Sequence, residues 1–128
     1  MSYYFAKTLS LDFDEVVSRT IEALKTEGFG IITEIDVKDT LKKKINVDFR
    51  SYRILGACNP ALAYEALQLE DKVGTMLPCN VVVQDMGGGK TEVAAIDPVA
   101  SMQAIENPRL NDAARKVQVK LRKVIESL

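Results

Sequence analysis

The sequence predicts an α+β fold of two layers, with helices packed on one face of a mixed β-sheet. Short β-prone segments and helical segments follow each other in the order β-α-β-α-β-α-β-β-α-α, and apolar residues in the last segment recur every three or four positions. That spacing predicts a long C-terminal helix that lies across the sheet. No break in composition, repeat or linker divides the 128 residues, so we expect residues 1–128 to form one domain.

The first half of the chain combines three predicted strands with two predicted helices. The strands are expected at residues 3–8, 29–35 and 52–57. The first helix has Asp12 as its N-cap and Glu15 as the partner in a capping box, and Gly28 is expected to end it in the left-handed conformation. Residues 36–45 predict a second, lysine-rich helix with a narrow apolar stripe.

The clearest local feature is a β-hairpin. Residues 80–86 and 91–96 are β-prone and flank Gly87, Gly88 and Gly89. A glycine-rich loop that binds phosphate opens onto the N-terminus of a helix, whereas this one leads into another strand. We therefore interpret the triple glycine as a turn between two strands.

Three helices are predicted to begin with the same device, an Asx residue followed by proline. The Asx side chain accepts a hydrogen bond from a backbone N–H, and proline occupies the first helical position, where no donor is needed. The pairs are Asn59-Pro60, Asp97-Pro98 and Asn107-Pro108. At Asp97, which follows the last predicted strand, a buried acid is the alternative interpretation.

Composition and charge exclude several classes of protein. The formal net charge of −1 provides no basic surface for nucleic acid, and the Lys42-Lys43-Lys44 run lies among aspartates, as on a solvated face. No apolar run approaches the roughly 20 residues of a membrane-spanning helix, and no signal peptide is visible. We therefore expect a cytoplasmic protein with no nucleic-acid or membrane partner, whose two cysteines are free thiols.

Two cysteine motifs mark the candidate site. Cys58-Asn59-Pro60 and Pro78-Cys79-Asn80 are close to mirror images of each other and fall at the ends of predicted elements. Cys58 precedes a helix N-cap, where the positive end of the helix dipole favours thiolate over thiol. The plain alternative is that each cysteine is a small buried apolar residue. The candidate ligand-binding residues are Cys58, Asn59, Pro60, Pro78, Cys79, Asn80 and Asp97.

The absence of histidine limits the chemistry of this site. A catalytic cysteine usually has an imidazole base beside it, and this chain contains no histidine. A structural zinc site takes four cysteine or histidine ligands, so we expect no metal site in a chain with two cysteines. A dithiol–disulfide couple needs only proximity of the thiols, but their spacing lacks the local signal of a Cys-x-x-Cys motif.

Three segments of the chain resemble a known family. They are Tyr52-Arg53-Ile54-Leu55-Gly56-Ala57-Cys58-Asn59-Pro60, Leu77-Pro78-Cys79-Asn80-Val81-Val82-Val83 and Ile96-Asp97-Pro98. Over nearly its whole length the chain resembles the prokaryotic family of domain of unknown function 302. The resemblance implies a compact single-domain α+β fold and a homodimer, and it implies no particular activity. It places the characteristic residues at Cys58, Asn59, Pro60, Leu77, Pro78, Cys79, Asn80, Asp97 and Pro98.

The sequence supports three hypotheses of function. The first is a homodimer that binds a small molecule in a pocket ringed by Cys58-Asn59 and Cys79-Asn80, because backbone donors point outward at helix and strand ends. The second is a thiol-dependent enzyme or redox protein, with Cys58 as nucleophile and Cys79 as the supporting thiol. The third is a structural assembly module whose motif residues shape a turn at the dimer interface. The sequence leaves open whether the protein is an enzyme, and it identifies no cofactor.

Overall fold

A five-stranded β-sheet with helices packed against it forms the fold, which confirms the α+β class. The computed structural model describes residues 2–128. The strands are β1 (Tyr4–Leu9), β2 (Gly30–Asp36), β3 (Tyr52–Cys58), β4 (Cys79–Gly87) and β5 (Lys90–Ile96). The helices are α1 (Phe13–Thr26), α2 (Val37–Ile45), α3 (Pro60–Leu69), α4 (Pro98–Ser101) and α5 (Pro108–Ser127), with a 3₁₀ helix at Asp71–Met76. Among residues 2–128, no helix is both long enough and apolar enough to cross a lipid bilayer.

The sheet is antiparallel throughout, where the sequence predicted a mixed one. Its strand order is β1-β5-β4-β3-β2, and every neighbouring pair runs antiparallel. Helix α1 joins β1 to β2, which point in the same direction, as a helical crossover requires. These two strands form opposite edges of the sheet, however, and β3, β4 and β5 lie between them. No parallel pair of neighbours therefore arises.

Helix α1 shows how local sequence sets the ends of an element. Its N-cap is Asp12, whose Oδ1 accepts a hydrogen bond from the backbone N–H of Glu15 at 2.8 Å. The Glu15 carboxylate accepts a hydrogen bond from Arg19 at 3.1 Å, so only one half of the predicted capping box is observed. Gly28 has a φ of +85°, and the N–H groups of residues 28 and 29 donate back into the last turn at 3.0 and 2.9 Å. This is the Schellman geometry that glycine permits.

The main core lies between one face of the sheet and helices α1 and α5. Alternate residues of the central strands point into it, because successive side chains of a strand face opposite sides. Buried residues of the sheet are Leu55, Ala57, Cys79, Val81, Val83, Val93 and Ala95. Those of the two helices are Val16, Val17, Leu24, Leu121, Val124 and Ile125. The predicted position of the C-terminal helix across the sheet is thus observed.

A second, smaller core supports the end of the sheet at which both cysteine motifs lie. It joins α3, the 3₁₀ helix, the end of α4 and the start of α5. Its buried members are Ala66, Val73, Met102, Leu110 and Ala114. The 3₁₀ helix was not predictable from the sequence, because within Asp71–Met76 only Val73 is buried and no helical periodicity develops.

The face of the sheet away from this core carries an apolar row that crosses all five strands. The register pairs Ala6 with Ala94, Ala94 with Val82, Val82 with Ile54, and Ile54 with Ile35. We call these five residues the open-face row. Each of them is exposed or half-buried, whereas the exposed face of an antiparallel sheet is commonly polar.

Replacing Leu121 by alanine should lower the free energy of unfolding by about 2–5 kcal/mol, because Leu121 is 0% exposed and the truncation leaves a cavity in the main core. Val119, on the same helix, is 52% exposed, so Val119→Ala is the matched control and should cost less than about 0.5 kcal/mol. Chemical denaturation followed by circular dichroism measures both. Equal losses for the two variants would show that the buried face of α5 is assigned wrongly.

Candidate ligand-binding site

A cavity lies at the end of the sheet where β3 stops and β4 begins. Its volume is about 210 Å³. It is bounded by these strand ends, by α3 and α5, by Leu77 and Pro78 before β4, and by Pro98 and Met102 at the two ends of α4. Its lining is Phe29, Ile32, Ala57, Cys58, Asn59, Leu62, Ala63, Ala66, Leu77, Pro78, Cys79, Pro98, Met102, Leu110, Ala113, Ala114 and Val117. The C-terminal helix therefore closes a site whose motif residues come from the middle of the chain.

The lining of the cavity is almost wholly apolar. Asn59 is the one side chain in it with an oxygen or nitrogen atom, and the thiols of Cys58 and Cys79 are its only titratable groups. An engineered cavity of roughly 150 Å³ with an apolar lining stays dry and binds benzene. The cavity described here is larger than that one and comparably apolar, so it suits a small apolar molecule or the apolar group of a larger one.

The pairing of β3 with β4 places the two cysteines on neighbouring strands, with their side chains directed to opposite faces of the sheet by alternation. Ala57 lies opposite Cys79, so Cys58 is displaced by one residue from Cys79 on the neighbouring strand. A strand spacing of ~4.8 Å and a rise of ~3.4 Å place the two Cα atoms about 6 Å apart. Both cysteines are free; Cys79 is buried and Cys58 is half-buried. Both line the cavity.

Burial changes the acidity of one of these thiols. It raises the pKa of Cys79 from 9.0 to about 11, and the neighbouring Cys58 adds to the rise. Burial disfavours the charged thiolate because the apolar surroundings cannot solvate it. Cys79 is consequently a neutral thiol near pH 7, which is the opposite of what an activated nucleophile requires.

Asn59 lies at the edge of the cavity and connects two helices. Its Oδ1 accepts a hydrogen bond from the N–H of Leu62 at 3.3 Å, which confirms the predicted N-cap of α3. Its Nδ2 donates to the carbonyl oxygen of Glu27 at 3.4 Å, at the end of α1. A Cβ atom on Gly28 would lie only 2.9 Å from that Nδ2. The Asn59 amide is therefore engaged inside the protein and holds Cys58 in place.

Asp97 serves as a cap and not as an acid in the cavity. Its Oδ1 accepts hydrogen bonds from the N–H groups of Val99 at 3.0 Å and Ala100 at 3.4 Å. Gln118 on α5 donates from Nε2 to both carboxylate oxygens, at 3.0 and 3.2 Å. Asp97 thus begins α4 and fixes it against the C-terminal helix, and it does not line the cavity.

Pro60 and Asn80 also lie outside the cavity lining. Pro60 occupies the exposed first position of α3. Asn80 is exposed and follows Cys79 in β4, so alternation along the strand directs its side chain to the opposite face of the sheet. Of the residues that the sequence singled out, the structure gathers Cys58, Asn59, Pro78 and Cys79 around one cavity, and it leaves Pro60, Asn80 and Asp97 outside.

Gly56 is a residue of the site that the sequence analysis did not single out. A Cβ atom at this position would lie 2.8 Å from Cγ of Pro78 and would collide with Oγ1 of Thr33. Only glycine therefore allows Pro78 to pack directly against β3. The Leu77-Pro78 peptide bond there is cis. A glycine inside a predicted strand was the available signal, since such a glycine often marks a close approach of another part of the chain.

Ile32 is a second residue that sequence reasoning missed. The register of β2 against β3 shifts between Ile31 and Thr33, so Ile32 is the extra residue of a β-bulge. It is 61% exposed and yet lines the cavity, which places it at the mouth. A bulge redirects a side chain that regular alternation would point elsewhere. The adjacent residues Ile31 and Ile32 in the sequence do not indicate that a bulge forms there.

The site offers few ligands for a metal ion. Among residues 2–128, no three His, Cys, Asp or Glu side chains come together in a group that could hold one. The two thiols are the strongest metal ligands in the cavity lining. Any cofactor held there would contact mainly apolar surface.

Comparisons with known proteins agree with this architecture. A family model described as domain of unknown function DUF302 matches residues 5–128. The solved structure titled as uncharacterized conserved protein DUF302 from Bacillus stearothermophilus superposes with a TM-score of 0.90 and 28% sequence identity, covering 98% of each chain. A search of curated proteins finds no match. Because the family model spans nearly the whole sequence, the chain belongs to the DUF302 family.

Proposed function

We propose that the protein is a cytoplasmic homodimer that binds a small apolar molecule in the cavity beside its two Cys-Asn motifs. The observation that supports this function is the cavity itself, with a volume of about 210 Å³ and an almost wholly apolar lining. Interiors of proteins are otherwise closely packed, and an apolar void forfeits contacts among its lining atoms. A ligand that fills the cavity restores those contacts. The free state of both cysteines agrees with a reducing compartment.

The ligand in this proposal is recognised by shape and apolar contact. Cys58, Asn59, Pro78 and Cys79 form the rim nearest the sheet, while α3 and α5 provide the apolar wall. The Asn59 amide is already hydrogen-bonded within the protein, so it has little capacity left for a polar ligand. An uncharged ligand that needs few hydrogen bonds fits this environment best.

The same lining argues against the alternative of a thiol-dependent enzyme. Activation of a cysteine nucleophile requires a base or a cation beside it. Apart from the two thiols, the cavity lining contains no Asp, Glu, Lys, Arg or Tyr. The pKa of Cys79 is raised to about 11, so this thiol does not supply a thiolate at neutral pH. Binding therefore has stronger support than catalysis.

The homodimer in this proposal forms through the whole open face of the sheet, with the open-face row at its centre. Five strands about 4.8 Å apart and ~20–25 Å long form a flat face on the order of 500 Å² in area. The solvent-accessible area of this face is larger, because side chains project from it. The result approaches the ~800 Å² that each partner buries in a standard interface. Arg50, Gln84 and Glu92 border the row and hydrogen-bond to one another at 2.9 and 3.0 Å. An apolar centre with a satisfied polar border is the usual anatomy of an interface.

A second copy of this chain is the partner that best matches the open-face row. A two-fold axis through the centre of the row packs it against the same row of the second copy. Asn80 reaches the same face, so this motif residue is placed to contact a partner. Cys79 faces the main core on the other side of the sheet, and Cys58 lines the cavity at the end of β3. The assembly hypothesis, which assigns the motifs to the interface, therefore applies to Asn80 and not to the thiols.

Filling the cavity should abolish ligand binding without unfolding the protein. Ala63 lines the cavity from α3, and Ala63→Leu adds three carbon atoms to that wall. We expect naphthalene, titrated by saturation-transfer NMR, to bind at least about tenfold more weakly, a loss of ~1.4 kcal/mol. Ala61→Leu is the matched control, because Ala61 is an exposed residue of the same helix outside the cavity. Equal binding by both variants would place the ligand elsewhere.

The ionisation of Cys79 should shift to alkaline pH in the folded protein. In a Cys58→Ser variant, the iodoacetamide reaction rate of Cys79 should still rise about tenfold per pH unit between roughly pH 8 and 10, because only thiolate reacts. Its midpoint should lie near 9.0 when unfolded and clearly above 9.0 when folded, because burial is the larger cause of the raised pKa and remains after the contribution of Cys58 is removed. The urea-unfolded variant is the control. Coincident midpoints would mean that Cys79 is solvated in the native state.

A charge placed in the open-face row should dissociate the dimer. Val82→Arg puts a cation at the centre of the row, and an unpaired buried charge is strongly unfavourable. Sedimentation velocity should show a dimer for the parent and a monomer for this variant. Val119→Arg is the matched control, because Val119 is 52% exposed on α5, away from the sheet, and it should remain dimeric.

Three results would contradict this assignment of the interface. They are a monomeric parent, a dimeric Val82→Arg protein, and a Cys58→Ser, Cys79→Ser double variant that dissociates. The last result would favour the thiols as interface residues. Native mass spectrometry of freshly purified protein reports both the oligomeric state and any molecule retained in the cavity.

A further inference from the structure

One edge of the β-sheet is uncovered and offers a free strand. Strand β2 (Gly30–Asp36) is the last in the order β1-β5-β4-β3-β2. We propose that this edge binds an extended peptide segment with alternating apolar and basic side chains, which adds to the sheet as a sixth strand antiparallel to β2. The pairing segment, Thr33–Asp36, does not line the cavity, so the inference goes beyond the proposed function and does not rest on it.

The outer side of β2 carries backbone groups without a partner. In residues 2–128, the N–H and C=O groups of Gly30–Ile35 make no hydrogen bond outside the ladder with β3. Six of the seven residues of β2 are exposed, and Ile31 is half-buried. A row of free N–H and C=O groups is a template on which another extended chain can pair. Main-chain hydrogen bonds of this kind are a recurring mode of peptide recognition.

Strand β2 lacks most of the features that protect a sheet edge. Proline and lysine on an edge strand discourage pairing, as does a β-bulge. No proline or lysine occurs within Gly30–Asp36, whereas β1, at the opposite edge, carries Lys7. The bulge at Ile32 interrupts only the start of β2. Residues Thr33–Asp36 keep a regular register with β3, and this segment is therefore available for pairing.

Charge selects the chemistry of the partner. Alternation directs Thr33 and Ile35 to the open face of the sheet, and Glu34 and Asp36 to the helix side. Arg53 forms ion pairs with both carboxylates, at 3.1 and 3.7 Å, and their side chains are 44% and 48% exposed. One guanidinium leaves one of the two negative charges unbalanced. Basic side chains opposite the carboxylates supply the missing charge, and pairs of opposite charge across two strands stabilise a ladder.

A second copy of β2 does not match this edge. Two-fold antiparallel pairing centred on Glu34 or on Asp36 would set that carboxylate against the same carboxylate of the second copy. Pairing centred on Ile35 would set Glu34 opposite Asp36. Like charges directly opposite each other destabilise a ladder. Pairing centred on Thr33 would match Glu34 with the bulged Ile32, where the regular register ends. The edge therefore favours a segment of different sequence.

Titration of the full chain with a synthetic peptide tests the proposal. The probe is an acetylated and amidated six-residue peptide of alternating valine and lysine, whose valines match Thr33 and Ile35 and whose lysines match Glu34 and Asp36. In ¹H–¹⁵N NMR spectra we expect the backbone amides of this segment to shift. Glu34→Gln should weaken binding about two- to fivefold, because it removes one charge pair. Ala63→Leu, which alters the cavity, is the matched control and should bind as the parent does.

Two N-methylated peptides separate strand pairing from charge attraction. In an antiparallel ladder, alternate residues of a strand direct their N–H groups to the same neighbour. Methylation of the backbone nitrogens of the valines or of the lysines therefore removes either the donors that face β2 or those that face solvent. One of these peptides should bind at least about tenfold more weakly than the unmodified probe, and the other should bind like it.

Four results would overturn the proposal. They are the absence of any shift of the β2 amides at millimolar peptide, shifts confined to the cavity lining, equal binding by both methylated peptides, and equal binding by Glu34→Gln and the parent. Slowed hydrogen exchange of the β2 amides that increases with protein concentration alone, without peptide, would identify a second copy as the occupant and would also overturn it.

Discussion

The antiparallel pairing of β3 with β4 is the constraint on which the candidate site depends. Its register sets Ala57 opposite Cys79, so the end of one strand and the start of the next meet at one edge. Gly56 lets Pro78 pack against β3, since any side chain there would collide with it. Asn59 then links the start of α3 to the end of α1. Together these contacts set the positions of both thiols before any ligand is present.

Strand alternation gives the sheet two different faces. Cys79 points toward the helices and the cavity, while its neighbour Asn80 points toward the open-face row. In the proposed function, this motif therefore contributes to the ligand site on one side of the sheet and to the dimer interface on the other.

The electrostatic character of the cavity explains why binding is better supported than catalysis. The carboxylate of Asp97 is engaged outside the cavity, because it accepts hydrogen bonds from α4 and from Gln118. Burial in an apolar environment raises the pKa of Cys79 and so favours its neutral form. A neutral thiol is a poor nucleophile, so the environment that suits an apolar ligand disfavours thiol catalysis.

The sequence by itself determined the α+β class, the positions of the strands and the ends of the helices. Those features depend on neighbours within a few residues: Asp12 and Asn59 cap helices through adjacent N–H groups, and Gly28 adopts a left-handed conformation that other residues resist. Tertiary structure alone decided the antiparallel strand order, the position of Cys58 and Cys79 beside one cavity, and the bulge that directs Ile32 to the mouth. It also separated Asn80 from the cavity. These outcomes depend on which strands become neighbours and in which register. Strand order and register are set by contacts between residues far apart in the chain, as the whole sheet packs against α1 and α5.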